Sequence, residues 1–245
     1  WGNAASYAND ARHGYTLYTP GEYTADAFNK ISGSEWMWGA QINSEQSTIY
    51  ASFFSHMDPT FITYAYLGLQ KLINTSLYSQ FPATDVRTNL FPETALSSTV
   101  PAYCQLKFLA YNQESFLGDY LFMRASEMYL IEAEALAEDG QDAQAQQVLF
   151  DLVSQRDPNY TMSSNTGQAL LDEIYLHRRM ELWGEGFRLL DLKRRKLPLD
   201  RTGANHDPSL ANEMTLEAGS YLMTFQIPEN ELDANPNIGQ QDQNP

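Results

Sequence analysis

DYLFMRASEMYLIEAEALAEDG, running from Asp119 to Gly140, decides the fold. Ala125, Met128, Tyr129, Ala133, Leu136 and Ala137 recur in it at helical spacing. At about 100° per residue these positions cover a wide arc, which predicts a helix with more than one neighbour. Glu127, Glu134 and Glu138 fall on the opposite side. Gly140 supplies the stop, because a left-handed residue after the last turn costs glycine little. Glu132 lies within the apolar arc. It must reach out to water or pair with an arginine, since an unpaired buried carboxylate is costly.

A second helix follows at once in GQDAQAQQVLFDLVSQRDP, Gly140 to Pro158, with Asp142 as candidate N-cap. Ala145, Val148, Leu149, Leu152 and Val153 form its stripe, and Pro158 ends it. So short a connection predicts an antiparallel pair, similar to one tetratricopeptide (TPR) unit. A third helical pattern runs from Gln168 to Lys196, its core positions including Leu170, Leu171, Ile174, Met180 and Leu192. Gly184 and Gly186 interrupt it, each at a cost of about 1 kcal/mol relative to alanine, and read as a break or a close backbone approach.

Before this spine the chain reads differently. Residues 3–13 have helical periodicity, and Thr24 to Lys30 predicts a short helix. Glu35 to Ile42 alternates, with Trp36, Trp38, Ala40 and Ile42 on one side of a strand and both tryptophans assigned to the core. Asn43 to Leu72 has no clean period. It mixes Tyr50, Phe53, Phe54, Phe61, Tyr64 and Tyr66 with amides, hydroxyls, His56 and Asp58. Rings among amides and acids suit sugar recognition: a pyranose stacks its aliphatic face on a ring and hydrogen-bonds through its hydroxyls. The candidate stacking residues are Tyr50, Phe53, Tyr64 and Tyr66, with Asn43 and Asp58 as polar partners. The alternative is that the rings lie beneath a long loop as packing. Further on, Leu69 to Leu77 predicts a short helix and Tyr103 to Phe108 a short strand. The C-terminal part is loop-rich, with a strand expected at Leu222 to Ile227 and a helical turn beginning at Glu229.

Composition excludes some classes. With 15 basic and 31 acidic residues the net charge is −16, which disfavours nucleic acid and anionic lipid as partners. At 43% hydrophobic, 245 residues can bury a large core. Cys104 is the sole cysteine, so no internal disulfide or cysteine metal cluster is available. No phosphate-cradling, zincin, nucleophile-elbow or EF-hand motif occurs, and the four histidines are widely spread, so neither metal, cofactor nor catalytic residue is expected. Glu127 and Glu134, seven apart on one helix face, are expected to meet Arg178, Arg179 or Arg188 rather than form a hydrolytic pair.

Several motifs together resemble the SusD/RagB family. They are R-A-S-E-M-Y-L-x-x-A-E-A (Arg124 to Ala135), R-D-P (Arg156 to Pro158), R-R-M-E-L-W-G-E-G-F-R-L-L-D-L-K-R (Arg178 to Arg194), and F-Q-I-P-E-N-E-L-D-A-N-P (Phe225 to Pro236) followed by Q-N-P (Gln243 to Pro245). Asp85-Val86-Arg87 and Lys107 match more loosely. The resemblance implies a mainly α fold: a TPR-like helical scaffold with long loops and a few short strands. It implies one domain over residues 1–245, with a loop-rich ligand-facing part (1–118), a helical spine (119–196) and a loop-rich C-terminal part (197–245). It further implies a surface-exposed outer-membrane lipoprotein, its lipid anchor outside this chain, that captures oligosaccharides for a SusC-like TonB-dependent transporter. Arg124, Glu127, Glu134, Glu185, Arg188 and Asp191, as motif residues, are assigned to the fold. The rival readings are a TPR-type adaptor for peptides or partner helices and, third, a glycoside hydrolase.

Overall fold

The structure, a computed structural model, describes residues 1–244, so Pro245 at the end of the Q-N-P match lies outside the described residues. The described chain is mainly α and divides into two compact units, Trp1 to Trp183 and a second from Gly184 onward. In the first unit, helix α1 (Gly2–Arg12) is followed by strand β1 (Trp36–Ala40) and two short helices, α2 (Phe53–Met57) and α3 (Thr75–Tyr78). Strand β2 (Tyr120–Arg124) then leads into the long helices α4 (Ala125–Glu138), α5 (Asp142–Val153) and α6 (Gly167–Glu181).

Helix α4 is the central helix of this unit, touching α1, α5 and α6. Its burial runs almost all the way round and takes in Ser126, Glu127, Glu132 and Glu134 as well as the alanines. Glu127 and Glu134 are thus enclosed, not on an open face, because three helices surround α4 where a two-sided arrangement would leave one side wet. Small residues make this close approach feasible: Ala125, Ala133 and Ala135 are completely or almost completely buried. Glu132 takes the paired solution. Its carboxylate accepts from Arg12 Nε at 2.6 Å and Asn9 Nδ2 at 2.9 Å, tying α1 to α4. Gly140 ends the turn with φ +75°, and the α5 stripe of Ala145, Val148, Leu149, Leu152 and Val153 is buried as its spacing predicts. Asp142 is the first residue of α5 rather than its cap. Its Oδ2 accepts the Gly167 N–H at 3.0 Å and fixes the start of α6.

The opening stretch is not helical from its first residue. Tyr120–Arg124 forms β2, which pairs antiparallel with β1, and α4 starts only after Arg124, whose backbone is extended. An apolar run flanked by a good helix former reads both ways until its partner strand is known. The pairing also overturns the alternation read in β1. Trp36 faces Arg124 and Trp38 faces Met123, so two β1 steps meet one β2 step, with a second shift before Gly39. A bulge of this kind turns the next side chain to the other face. Trp36 is accordingly 5% exposed and Trp38 63% exposed.

Beneath the helices lies a buried ionic hub assembled from distant motifs. Glu181, at the end of α6, accepts from Arg124 Nη1 at 2.7 Å, Arg156 Nη2 at 3.0 Å and Arg87 Nη1 at 3.2 Å. Glu35 accepts from Arg156 at 2.6 Å and Arg124 at 3.0 Å, and Asp85 pairs with Arg87 at 2.6 Å. Ser126 Oγ donates to Glu35, and Lys107 Nζ donates to the Glu181 and Trp183 carbonyls at 2.9 and 3.1 Å. All six ion-pair side chains are at most 1% exposed. Burial alone would raise the Glu181 carboxyl, but Arg156, Arg124 and Arg87 together hold it well below its ordinary value. Buried charges are tolerable only when matched and hydrogen-bonded in this way. His177 lies against the hub, its Nδ1 3.4 Å from Arg87 Nη2.

Three further expectations change. Helix α3 spans only Thr75–Tyr78 because Asn74 starts it, accepting the Ser76 N–H at 2.8 Å. Tyr103 takes φ +63°, incompatible with a strand, and leaves a single bridge, Cys104 to Leu72. Tyr221–Met223 is a 3-10 turn capped by Ser220 instead of a strand. In the second unit, α7 (Phe187–Arg194) begins after the expected break, where Gly184 and Gly186 have φ +78° and +90°. A minimal ribbon pairs β3 (Leu199–Asp200) with β4 (Thr215–Leu216), and α8 (Glu229–Ala234) follows the Ile227-Pro228 step.

Candidate functional site

The irregular stretch after β1 is held by its own short polar side chains. Asn43 Oδ1 accepts the Glu45 and Gln46 N–H groups at 3.0 and 3.1 Å, forming a local turn. Ser47 Oγ donates to the Ser115 carbonyl at 2.5 Å and so brings the loop of residues 110–118 alongside. Ser52 caps α2 by accepting from the Ser55 N–H. Asp58 then closes the turn after α2. Its Oδ1 accepts from Thr60 N at 2.8 Å and Thr60 Oγ1 at 2.6 Å, and its Oδ2 from Ala110 N at 2.9 Å. The side chain is wholly buried, and burial raises its carboxyl above the ordinary value despite these donors. Asp58 therefore faces the protein, where it pins residues 58–60 to the segment at Ala110.

On this frame the rings form an arc. The Tyr50 ring centre lies 5.6 Å from Tyr64 and 5.4 Å from Phe116, both tilted at 59°. Phe116 continues to Phe61 at 5.0 Å, and His56 stacks on Tyr64 at 5.1 Å with 25° between planes. Tyr50 is 43% and Tyr64 40% exposed, so each offers part of a ring to solvent. Ile49, next to Tyr50, and Phe116 hold left-handed backbones, at φ +49° and +57°. A non-glycine residue in that region is uncommon and is kept there by its surroundings.

Of the six residues singled out in the sequence, Tyr50 and Tyr64 come together. Phe53 lies at the edge of a different group, T-shaped to Phe54, Phe108 and Tyr120, and leads into the core. Tyr66 is half-buried one turn on, its N–H donating to Thr63 Oγ1 at 2.9 Å, and is not among the rings Tyr50 gathers. Asn43 is exposed with its carbonyl oxygen engaged in the turn. Phe116 and His56 were not singled out as stacking candidates. Phe116 comes from a loop 66 residues from Tyr50 in sequence, and no local signal joins the two.

A second exposed aromatic pair stands on the β1–β2 ribbon. Trp38 and Phe122 meet edge to face at 5.2 Å, with Phe122 48% exposed. The bulge that undid the alternation is what presents Trp38. Among the described residues no group of three or more histidine, cysteine or acidic side chains is placed to hold a metal ion, and no helix is long and apolar enough to cross a membrane. These surfaces offer partly exposed aromatic rings.

The model of the SusD family matches residues 1–245. Among solved structures, the chain is similar to a SusD-like carbohydrate binding protein from Bacteroides vulgatus ATCC 8482, at 28% identity and TM-score 0.79 over 97% of this chain and 55% of that one. It is also similar to a SusD superfamily protein from Bacteroides thetaiotaomicron VPI-5482, at 26% identity and TM-score 0.74 over 98% of this chain and 56% of that one. The chain thus spans little more than half the length of these relatives. Comparison with curated proteins gives no match.

Proposed function

Because the chain belongs to the SusD family, we propose that it captures oligosaccharide on the aromatic arc around Tyr50 and presents it to a SusC-like TonB-dependent transporter at the outer-membrane surface. The observation that carries the reading is the arc itself: Tyr50 and Tyr64, half-exposed and 5.6 Å apart, joined by Phe116 and His56 from neighbouring segments. Tilted rings at this spacing suit a curved chain of pyranoses, each sugar resting its C–H face on one ring. Asn43 and the amides of the same loop supply edge contacts to hydroxyls.

The scaffold supports the same division of labour. Rigid helices and a buried ionic hub carry the loops, and the loops carry the chemistry. Asp58 serves by holding the Thr60 turn, not by touching sugar, and Phe53 belongs to the core group of Phe54, Phe108 and Tyr120. The Trp38–Phe122 pair offers a second stacking place on the ribbon. No covalent step is needed: the protein binds and releases. Attachment to the membrane would come from a lipid anchor outside this chain. That a relative is described as carbohydrate binding agrees with the reading.

A glycan array followed by calorimetry tests it. One polysaccharide class binds without being shortened, and Tyr50→Ala or Tyr64→Ala each lowers affinity about tenfold, since a ring–sugar contact in a pre-formed site is worth roughly 1 kcal/mol or slightly more. Full affinity in the Tyr50→Ala, Tyr64→Ala double variant would remove the arc from the site.

A further inference from the structure

A cleft of about 710 Å3 opens in the first unit and shares no residue with the aromatic arc. Its walls come from α3, from the turn Val86–Leu90 with the residues after it, and from Tyr103. The Tyr78 and Tyr103 rings meet there edge to face, 5.1 Å apart at 68°. Tyr103 sits in the left-handed region at φ +63°, a conformation that costs a tyrosine energy. Two backbone hydrogen bonds hold it: its N–H donates to Pro92 O at 2.7 Å, and its carbonyl accepts from Ile73 N at 3.0 Å. The strained residue is the one whose ring lines the cleft, which is where stored strain points to a role.

The lining is chemically one-sided. Tyr78 and the exposed Glu93 carboxylate line the cleft together, and burial first, with that carboxylate second, raises the Tyr78 phenol above its ordinary value. Thr75, Ser79, Thr88 and Asn89 add polar lining, and among the described residues no lysine, arginine or histidine lines the cleft. Arg87 stands behind the wall, its guanidinium over the Phe81 ring at 5.5 Å, but it is buried and already paired with Asp85 and Glu181. An anion entering the cleft would meet Glu93 with no facing cation. A cation would find the Tyr78 and Tyr103 rings and the Glu93 carboxylate in one lining.

We propose that this cleft binds an organic ammonium group, carried by an amine-bearing sugar or a lysine side chain, with Glu93 as counter-ion and Tyr78 and Tyr103 as the aromatic wall. The site goes beyond the capture of neutral sugar at Tyr50, and either reading stands if the other fails.

Calorimetry in mildly acidic buffer tests it with a short glucosamine oligomer and a lysine tetrapeptide, each against its N-acetylated counterpart, and with a glucuronate oligomer. At least one free-amine probe binds, and N-acetylation weakens it about tenfold, the combined effect of a cation–π contact and a partly exposed ion pair. The amine probe that binds identifies the source. Glu93→Gln and Tyr103→Gly each lower that affinity by a similar factor and leave binding at Tyr50 and Tyr64 unchanged. Glycine suits φ +63°, so Tyr103→Gly removes the ring without forcing the backbone, and a thermal melt of each variant checks the fold. The proposal fails if no amine probe binds, if acetylated or acidic probes bind equally well, or if both variants keep wild-type affinity.

Discussion

His177 makes the fold sensitive to mild acid. Burial first, and repulsion from Arg87 second, lower its pKa to about 3. In the unfolded chain the imidazole titrates near ~6.5. With the folded value depressed, the unfolded state takes up the proton first as pH falls. The stabilising contribution is therefore complete above ~6.5 and is lost progressively on the way down to about 3. Between pH ~7.5 and pH ~5 one such group removes about 2 kcal/mol, at about 1.4 kcal/mol per pH unit once below ~6.5. Glu181 stays ionised across that window because its own value is held low. His177→Phe keeps a ring against Tyr160, whose centre lies 5.4 Å away, while removing the titrating nitrogen. The variant is less stable at neutral pH by about 1–3 kcal/mol, having left an Arg87 donor without its neighbour. Urea unfolding of both proteins across this pH range is the assay, and the difference between their curves cancels the other histidines and the surface carboxylates. The difference should shrink by about 2 kcal/mol from pH ~7.5 to ~5. A constant difference would refute the assignment of a neutral, proton-resisting His177.

Other substitutions test the frame. Glu181→Gln keeps the shape of the hub's central acceptor but removes its charge from among Arg87, Arg124 and Arg156; chemical denaturation should show a loss of about 3–5 kcal/mol. Arg12→Ala leaves Glu132 with Asn9 alone and should cost about 1–3 kcal/mol, read in the same assay. At Gly39 an added Cβ would lie 2.7 Å from the Tyr120 carbonyl and 2.8 Å from the Trp36 ring. Gly39→Ala should lower stability by about 1–3 kcal/mol and change the tryptophan near-ultraviolet signal as the ribbon shifts.

What could be read in advance followed physical range. The α5 stripe, the Gly140 stop and the break at Gly184 and Gly186 depend on residues within a turn or two of each other, and periodicity carries them. Tyr120–Arg124 did not read as a strand because its apolar run has no period of its own; its identity comes from β1, some eighty residues earlier. Trp38 was assigned to the core by alternation that a bulge interrupts, and a bulge leaves little trace in one strand's sequence. Asp58 read as a ligand contact because acids in loops usually face water. Its burial follows from the Ala110 N–H, which only the folded chain brings near. Arg124 was legible as belonging to the fold, but its meeting with Arg156 and Glu181 at one point was not.

That meeting sets the order in which the protein can be made. Arg156 and Glu35 are 121 residues apart, Arg87 and Glu181 94 residues apart, and Arg124 and Glu35 89 residues apart. Helices α4 and α5 need only local contacts and can form within microseconds, whereas contacts of this separation close slowly. Until Glu181 docks, the three arginines stay hydrated, since sinking them without their central acceptor would bury unmatched charge. The last turn of α6 therefore acts as a latch. Its docking completes the charge match of Arg87, Arg124 and Arg156 and so closes the first unit as a whole.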